Sequence, residues 1–160
     1  MHIRPYEPRD ADAVTDILMP VFRAGDTYAI DPDILPADAL AYWTGPERAV
    51  FVAEEDDVLL GTYYIVRNQK GGGSHVCNCG YVTAAKARGR GVARAMLTHS
   101  LEVAPRLGFR AMQYNFVVST NTRAVDIWQK AGFEIVGRLP GAFQHPTAGF
   151  VDALVMYKAL

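Results

Sequence analysis

The 160 residues carry 16 Lys and Arg against 17 Asp and Glu, a formal net charge of −1 at pH 7, and half of them are apolar. This length predicts one domain over residues 1–160, with a core large enough to need neither disulfides nor a structural metal. The balanced charge argues against a nucleic-acid binder, and no apolar run approaches the roughly 18 residues of a membrane span, so we expect a cytoplasmic protein without a membrane partner.

The first half of the chain predicts a strand, two helices and an antiparallel hairpin. Apolar residues recur at helical spacing after Asp10, and Pro20 within this run is expected to kink the helix or end it early. The predicted elements are a strand over 4–7, a helix from about residue 10, a short helix over 37–43, a strand over 49–53 and its partner over 58–67.

The second half alternates strands and helices, and its glycine-rich stretch at 71–74 is typical of a flexible hairpin connection. Cys77 and Cys79 are the two cysteines, and without a second pair we expect reduced core residues and no metal site. The predicted elements are a strand over 75–83, a helix from 91 to about 105, a strand over 109–118, a helix over 121–131, and strands over 133–139 and 150–157. Their order predicts an α/β fold whose mixed sheet carries helices on both faces.

The segment over residues 88–93 reads R-G-R-G-V-A and lies between a predicted strand and a predicted helix. Its glycines let the backbone approach a ligand closely, and the N–H groups and dipole of the following helix attract an anion. A Walker A loop would need Gly-Lys-Ser/Thr, and a dinucleotide fingerprint would need glycine at Arg94, so neither fits. The turn suits a diphosphate; the alternative is a glycine-rich turn with solvated arginines.

Three segments together resemble the GNAT N-acetyltransferase family. The R-x-x-G-x-A pattern at 88–93 is similar to that family's Q/R-x-x-G-x-G/A signature, and the Asn-led helix ending in Gly-Phe over 121–133 is similar to its second landmark. The Ile-Arg-Pro at 3–5, followed by an amphipathic helix, resembles the family's start. The resemblance implies a GNAT fold, with a mixed, mostly antiparallel sheet whose parallel fourth and fifth strands splay apart, and acetyl-CoA as the acetyl donor.

The resemblance also implies where acetyl-CoA binds. Its pantetheine arm would bond the fourth strand like an added strand, and its diphosphate would bind the glycine-arginine turn. The implied contacts are Tyr81, Val82, Thr83, Arg88, Gly89, Arg90, Gly91, Val92, Ala93, Arg94, Asn121, Ala124 and Trp128. Trp128 stands where the family often has a tyrosine proposed as general acid; since an indole is no practical proton donor, we expect it to pack against the coenzyme or substrate, or to fill core.

A finer resemblance is to fungal proline-analogue (azetidine-carboxylate) N-acetyltransferases and their bacterial relatives, through H-V-x-N at 75–78 and Y-N-F at 114–116. It implies that Asn78 and Asn115 line the acetyl-transfer site. His75 is the nearest titratable side chain and a candidate general base, the alternative being a half-buried histidine at a strand start. His145, Asp152 and a loop over 141–147 lie where family members shape the acceptor pocket.

These observations predict an acetyl-CoA-dependent N-acetyltransferase that acts on a small-molecule amine, an amino acid or its analogue being one candidate. Acetylation of protein N-termini or lysines is an alternative within the family, and a non-catalytic acetyl-CoA-binding module is an alternative outside enzymes. The sequence identifies neither the acceptor amine nor the oligomeric state, and a homodimer is compatible with it.

Overall fold

The computed structural model describes all 160 residues and contains seven strands and four α-helices. The strands are β1 His2–Pro5, β2 Arg48–Glu55, β3 Val58–Arg67, β4 Val76–Thr83, β5 Ala111–Val118, β6 Glu134–His145 and β7 Gly149–Ala159. The helices are α1 Ala11–Ala24, α2 Pro36–Trp43, α3 Val92–Arg106 and α4 Thr122–Lys130. No helix is long and apolar enough to cross a membrane.

All the strands form one sheet in the order β1-β2-β3-β4-β5-β7-β6. Every neighbouring pair is antiparallel except β4 and β5, which are parallel. These two strands pair only at Val76 with Ala111 and at Cys77 with Met112, and beyond that point their backbones are not paired with each other. The predicted mixed sheet with splayed parallel central strands is therefore confirmed.

Alternating side chains of β3 show that helices cover both faces of the sheet. Tyr63 contacts His99 of α3 through its hydroxyl (2.6 Å), whereas Thr62 accepts a hydrogen bond from the indole of Trp43 in α2 (3.0 Å). Neighbouring residues of a strand point to opposite faces, so α2 lies on one face and α3 on the other. Helix α1 packs beside α2 through Phe22, whose ring centroid is 6.3 Å from that of Trp43.

Of the two outcomes expected at Pro20, a kink or an early end, the early end does not occur, because helix α1 continues to Ala24. Leu18 and Phe22 flank the proline and are fully buried, while Pro20 itself is exposed. Burying these apolar side chains outweighs the one backbone hydrogen bond that proline removes. The prediction of the first strand was also wrong, by two residues, since β1 occupies His2–Pro5.

Strand β6 extends through most of the segment predicted as a loop over 141–147. Asp152 of β7 explains the difference, because its carboxylate accepts hydrogen bonds from the Gly141 backbone N–H (2.9 Å) and from Arg138 (2.8 Å). These contacts hold an irregularity between Leu139 and Phe143 against β7. Proline and glycine therefore occupy a bulge within a strand here, a position that both tolerate.

Candidate active site

A cavity of about 820 Å³ opens where β4 and β5 separate. Its walls come from these two strands, the turn before α3, helix α4 and the segment between α1 and α2. The sequence-predicted residues that line it are Asn78, Tyr81, Val82, Thr83, Arg88, Gly89, Gly91, Val92, Ala93, Arg94, Asn115, Asn121, Ala124 and Trp128. The structure thus gathers most of the predicted site residues around one space, and leaves out His75, Arg90, His145 and Asp152.

The backbone of β4 offers hydrogen-bonding groups to this cavity at alternate residues. The Ala84 N–H donates to the Leu60 carbonyl of β3 (2.8 Å), and the Val76 carbonyl accepts from Asn68, the residue after β3 (2.9 Å). The backbone groups of even-numbered residues of β4 therefore face β3. In an antiparallel pair the intervening residues point the other way. Tyr81 and Thr83 therefore direct their backbone groups into the gap, while Val82 contributes only its side chain.

One of those groups already has a partner in the protein. The Tyr28 hydroxyl donates a hydrogen bond to the Tyr81 carbonyl (3.0 Å), and its ring packs edge-on against Phe22 and Trp43. Burial raises the pKa of Tyr28 well above its usual range, so this phenol remains a donor at neutral pH. Sequence reasoning did not find Tyr28, because the turn-rich segment that carries it gave no sign of the cavity.

The turn before α3 has the geometry of an anion-binding loop. Gly89 and Gly91 adopt φ angles of +81° and +79°, a conformation that side chains rarely take. An added Cβ at either position would meet no protein atom within 4 Å, so the space over the turn is open. Arg88 and Arg94 line the cavity, whereas Arg90 forms an ion pair with Glu55 and lies outside the lining.

The predicted asparagines reach the cavity from three elements. Asn78 is half-buried on β4, and Asn115 on β5 accepts a hydrogen bond from Gln113 (2.9 Å) and donates one to Asn68 (2.6 Å). Asn121 precedes α4, and its side-chain oxygen accepts from the third residue along (3.4 Å), as expected for an N-cap. Capping uses the oxygen of Asn121 and leaves its amide nitrogen as a donor for a ligand.

The structure does not bring the predicted histidines to the cavity. Strand β4 begins one residue later than expected, so His75 is exposed in the preceding turn, where its carbonyl accepts from the Arg110 N–H (2.8 Å). His145 accepts hydrogen bonds from the backbone of Thr147 (3.2 Å), within the β6–β7 turn. Asp152 also lies outside the lining, where it holds the β6 bulge.

Trp128 packs between two tyrosines that line the same cavity. Its ring centroid is 5.1 Å from that of Tyr81 and 5.2 Å from that of Tyr114. The two tyrosine hydroxyls are 3.1 Å apart, and that of Tyr81 is 2.7 Å from the Ser100 hydroxyl. Burial raises the pKa of both phenols well above the usual range, so both stay protonated.

The two cysteines are free and buried, as predicted. Cys79 lines the cavity, but burial raises the pKa of its thiol well above the usual range. Because the thiolate is the reactive form of cysteine, Cys79 is a poor nucleophile.

Comparison with known proteins gives a consistent result. A model of the acetyltransferase (GNAT) family matches residues 11–133. N-acetyltransferase aca1 of Schizosaccharomyces pombe is 32% identical over 69% of this chain, which spans about half (53%) of that relative's length. YwnH of Bacillus subtilis, named as a candidate phosphinothricin acetyltransferase, is 25% identical over 88% of both chains. A GCN5-related N-acetyltransferase from Kribbella flavida is 40% identical, with a TM-score of 0.94 over 99% of this chain and 97% of that one.

Proposed function

The chain belongs to the acetyltransferase (GNAT) family of acetyl-CoA-dependent enzymes, and on that premise we propose that it transfers the acetyl group to the amine of a small molecule. The observation that carries the proposal is the single cavity that contains both the glycine-arginine turn and the amides of Asn78 and Asn115. The turn suits a diphosphate, and we assign the acceptor amine and the thioester to the part of the cavity beside the two amides. The predicted cytoplasmic location, the single domain and the homodimer stay predictions.

Acetyl-CoA supplies an acyl group that is already activated as a thioester. The open, left-handed backbone at Gly89 and Gly91 leaves room for the diphosphate, beside the N-terminus of the 15-residue helix α3. Arg88 and Arg94 add positive charge there. We assign the pantetheine arm to the edge of β4, where the Tyr81 carbonyl accepts from Tyr28 and has a second lone pair for a pantetheine N–H.

The acceptor amine attacks the thioester directly in this scheme, without an acetylated side chain. Cys79, the one thiol in the lining, is held protonated by burial and is therefore unsuited to carry the acetyl group. Backbone N–H groups of β4 that face the gap can stabilise the oxyanion that develops on the carbonyl oxygen. Asn78 and Asn115 would orient the amine or an attached water.

The amine must lose its proton before it attacks. For an amine with a lysine-like pKa near 10.4, deprotonation at pH 7 costs roughly 4–5 kcal/mol. No histidine lines the cavity, so we assign proton removal to water that connects the amine with solvent. The cost is smaller for amines of lower pKa.

Release of free thiol from acetyl-CoA, measured across a panel of amines, tests this function. The panel contains amino acids, azetidine-2-carboxylate, phosphinothricin, polyamines and short peptides with free N-termini. We expect acetylation of at least one small amine with saturation kinetics, confirmed by mass spectrometry of the product. Exclusive activity on peptides would overturn the small-molecule assignment, and binding of acetyl-CoA without turnover of any amine would indicate a non-catalytic module.

A further inference from the structure

The Arg48 side chain is half-buried beside the cavity and has no counter-ion. Its central carbon is 4.1 Å from the ring centroid of Tyr42 and 4.1 Å from that of Tyr64, so the cation is stacked against both rings. Nη1 of Arg48 is the one buried side-chain nitrogen or oxygen that has no hydrogen-bond partner in the protein. The neighbouring Glu47 contacts Arg67 instead (3.5 Å).

The buried Nη1 atom is unusual, because buried polar groups are ordinarily hydrogen-bonded. Stacking on tyrosine rings attracts a cation and fixes the plane of the guanidinium. It satisfies none of the five N–H donors at the edge of that plane, which are the groups that bind carboxylates. Arg48 therefore contributes a positive charge that the protein itself does not neutralise.

The two tyrosines lie between this charge and the part of the cavity to which we assign the acceptor. Tyr42 and Tyr64 both line the cavity, whereas Arg48 stands behind them. Tyr64 lies over Gly80 of β4: a Cβ added at Gly80 would be 3.0 Å from the Tyr64 hydroxyl oxygen. Burial and the nearby Tyr42 phenol raise the pKa of Tyr64, while the Arg48 cation acts in the opposite direction. Tyr64 thus stays a neutral hydrogen-bond donor at physiological pH.

Strand register places the same group close to the acetyl-transfer amides. Arg48 is paired with Val66, and Val66 is paired with Asn78. Directly paired residues share a face of the sheet, and neighbouring strands are about 4.8 Å apart, so the backbones of Arg48 and Asn78 lie about 10 Å apart on one face. A small amino acid is long enough to span the distance between the side chains of these two residues.

We propose that Arg48, acting through Tyr42 and Tyr64, selects acceptors that carry a carboxylate or similar anionic group next to the reacting amine. The anion would accept hydrogen bonds from the tyrosine hydroxyls, and the cation behind them strengthens this contact. The cavity lining also contains the carboxylates of Asp26 and Asp126, so the selection comes from this local contact and not from a uniformly positive cavity. This inference rests on the proposed function and narrows its acceptor class.

The test compares kcat/KM for azetidine-2-carboxylate and for its uncharged carboxamide. We expect the native protein to prefer the acid by at least tenfold, and Arg48→Met to reduce that preference to within about twofold, mainly through a higher KM for the acid. Arg48→Lys, which keeps the charge, should restore part of the preference. Arg67→Met is the matched control, since it removes an arginine from the exposed Glu47 contact on the neighbouring strand and should leave the preference intact.

An unchanged acid preference in Arg48→Met would overturn the inference, and so would an equal loss for acid and carboxamide, which is what a purely structural role predicts. If Arg48→Met fails to fold, Tyr64→Phe removes a single hydroxyl and should give the same selective loss. Acetylation of uncharged amines without preference for the acid would refute the inference and leave the proposed function standing. If no amine is acetylated, calorimetry with N-acetylated azetidine-2-carboxylate and its carboxamide provides the test. Tighter binding of the acid that is lost in Arg48→Met supports the inference, and equal binding of the two compounds refutes it.

Discussion

Asn78 and Asn115 reach the cavity from two strands that separate, and neither amide can take up or release a proton near neutral pH. Five tyrosines share the cavity lining with them, and burial raises the pKa of three of these, Tyr28, Tyr81 and Tyr114, well above the usual range. At the level of single residues, the site therefore offers neutral hydrogen-bond donors. Such groups stabilise and orient the reacting atoms without changing charge.

Asn78→Ala tests the amide on β4. We expect kcat/KM to fall by about tenfold to a thousandfold, because a donor to a developing oxyanion contributes roughly 2.7–4 kcal/mol and an orienting group less. The affinity for acetyl-CoA, measured by calorimetry, should change by less than about twofold. Gln129→Ala, which removes an exposed amide on α4, serves as the control. Activity of Asn78→Ala within about twofold of the native value would make Asn78 a structural residue.

Trp128→Tyr and Trp128→Phe test whether the missing tyrosine limits catalysis. Trp128 is 8% exposed and packs on Tyr81 and Tyr114, so a smaller aromatic ring should preserve most of the wall. The leaving thiol should have a pKa near that of free cysteine, about 8.5, and so departs with little help from an acid. We expect both variants to stay within about tenfold of native kcat. A hundredfold gain in Trp128→Tyr would show that protonation of the thiolate is limiting.

The same account predicts the pH dependence of the native protein. The raised pKa values of Tyr81 and Tyr114 mean that both phenols keep their protons below pH 9, so neither loses its role as pH rises to that value. The rate should therefore rise with pH as the amine deprotonates, with no falling limb below about pH 9. A bell-shaped profile with a descending limb near neutrality, in native protein of intact fold, would contradict this account.

Two features of the secondary structure position these residues, namely the partial pairing of β4 with β5 and the turn that connects β4 with α3. Strands β4 and β5 are paired at one end and free at the other, which opens the cavity within the sheet itself. The turn from β4 into α3 passes through Gly89 and Gly91, whose backbone is left-handed, and the first N–H groups of a helix have no partner within the helix. The proposed acetyl-CoA site therefore lies at the end of a strand and the start of a helix, and it depends on backbone conformation more than on side chains.

Gly91→Ala and Gly108→Ala form a matched pair that separates ligand binding from backbone strain. Both glycines have left-handed φ angles (+79° and +93°), and an added Cβ at either would meet no protein atom within 4 Å. Each substitution should cost about 1–2 kcal/mol of unfolding free energy, and only Gly91 faces the cavity. We expect Gly91→Ala alone to weaken acetyl-CoA binding, by at least tenfold in calorimetry. Equal affinities of the two variants for acetyl-CoA would show that the diphosphate does not bind at this turn.

For the whole molecule, one sheet and its covering helices must supply both the coenzyme site and the acceptor site. The core cluster joins α1 and α2 on one face with α3 and α4 on the other, through residues of β3 and β4. Ligand bound between the splayed strands contacts elements from both faces, so binding and unfolding are coupled. A ligand that binds only the folded state stabilises it in proportion to its saturation.

Acetyl-CoA should therefore raise the melting temperature. At a free concentration 100 times Kd the stabilisation is about 2.7 kcal/mol, which for a chain of this size corresponds to roughly 5–11 °C. Differential scanning fluorimetry or calorimetry would measure the shift, and Gly91→Ala should show a smaller one than Gly108→Ala at the same concentration. No shift at millimolar acetyl-CoA would contradict binding in the cavity.

The amino-acid sequence by itself determined the features that depend on local chemistry. Hydrophobic periodicity and turn residues predicted the helices and most strands, and the requirement for left-handed backbone at Gly89 and Gly91 predicted the anion turn. Asn121 was identified through the resemblance to the GNAT family, as the residue that heads the second landmark helix. The resemblance to the GNAT family added the order of the sheet and the splay of its parallel strands.

Only the tertiary structure decided which distant side chains share the cavity. A shift of one residue at the start of β4 leaves His75 in an exposed turn, and a contact from Asp152 turns a predicted loop into a bulge of β6. Tyr28 and the Arg48–Tyr42–Tyr64 stack come from elements separated along the chain and meet only when α1 and α2 pack on the sheet. Such contacts follow from the packing of whole elements, which no local pattern encodes.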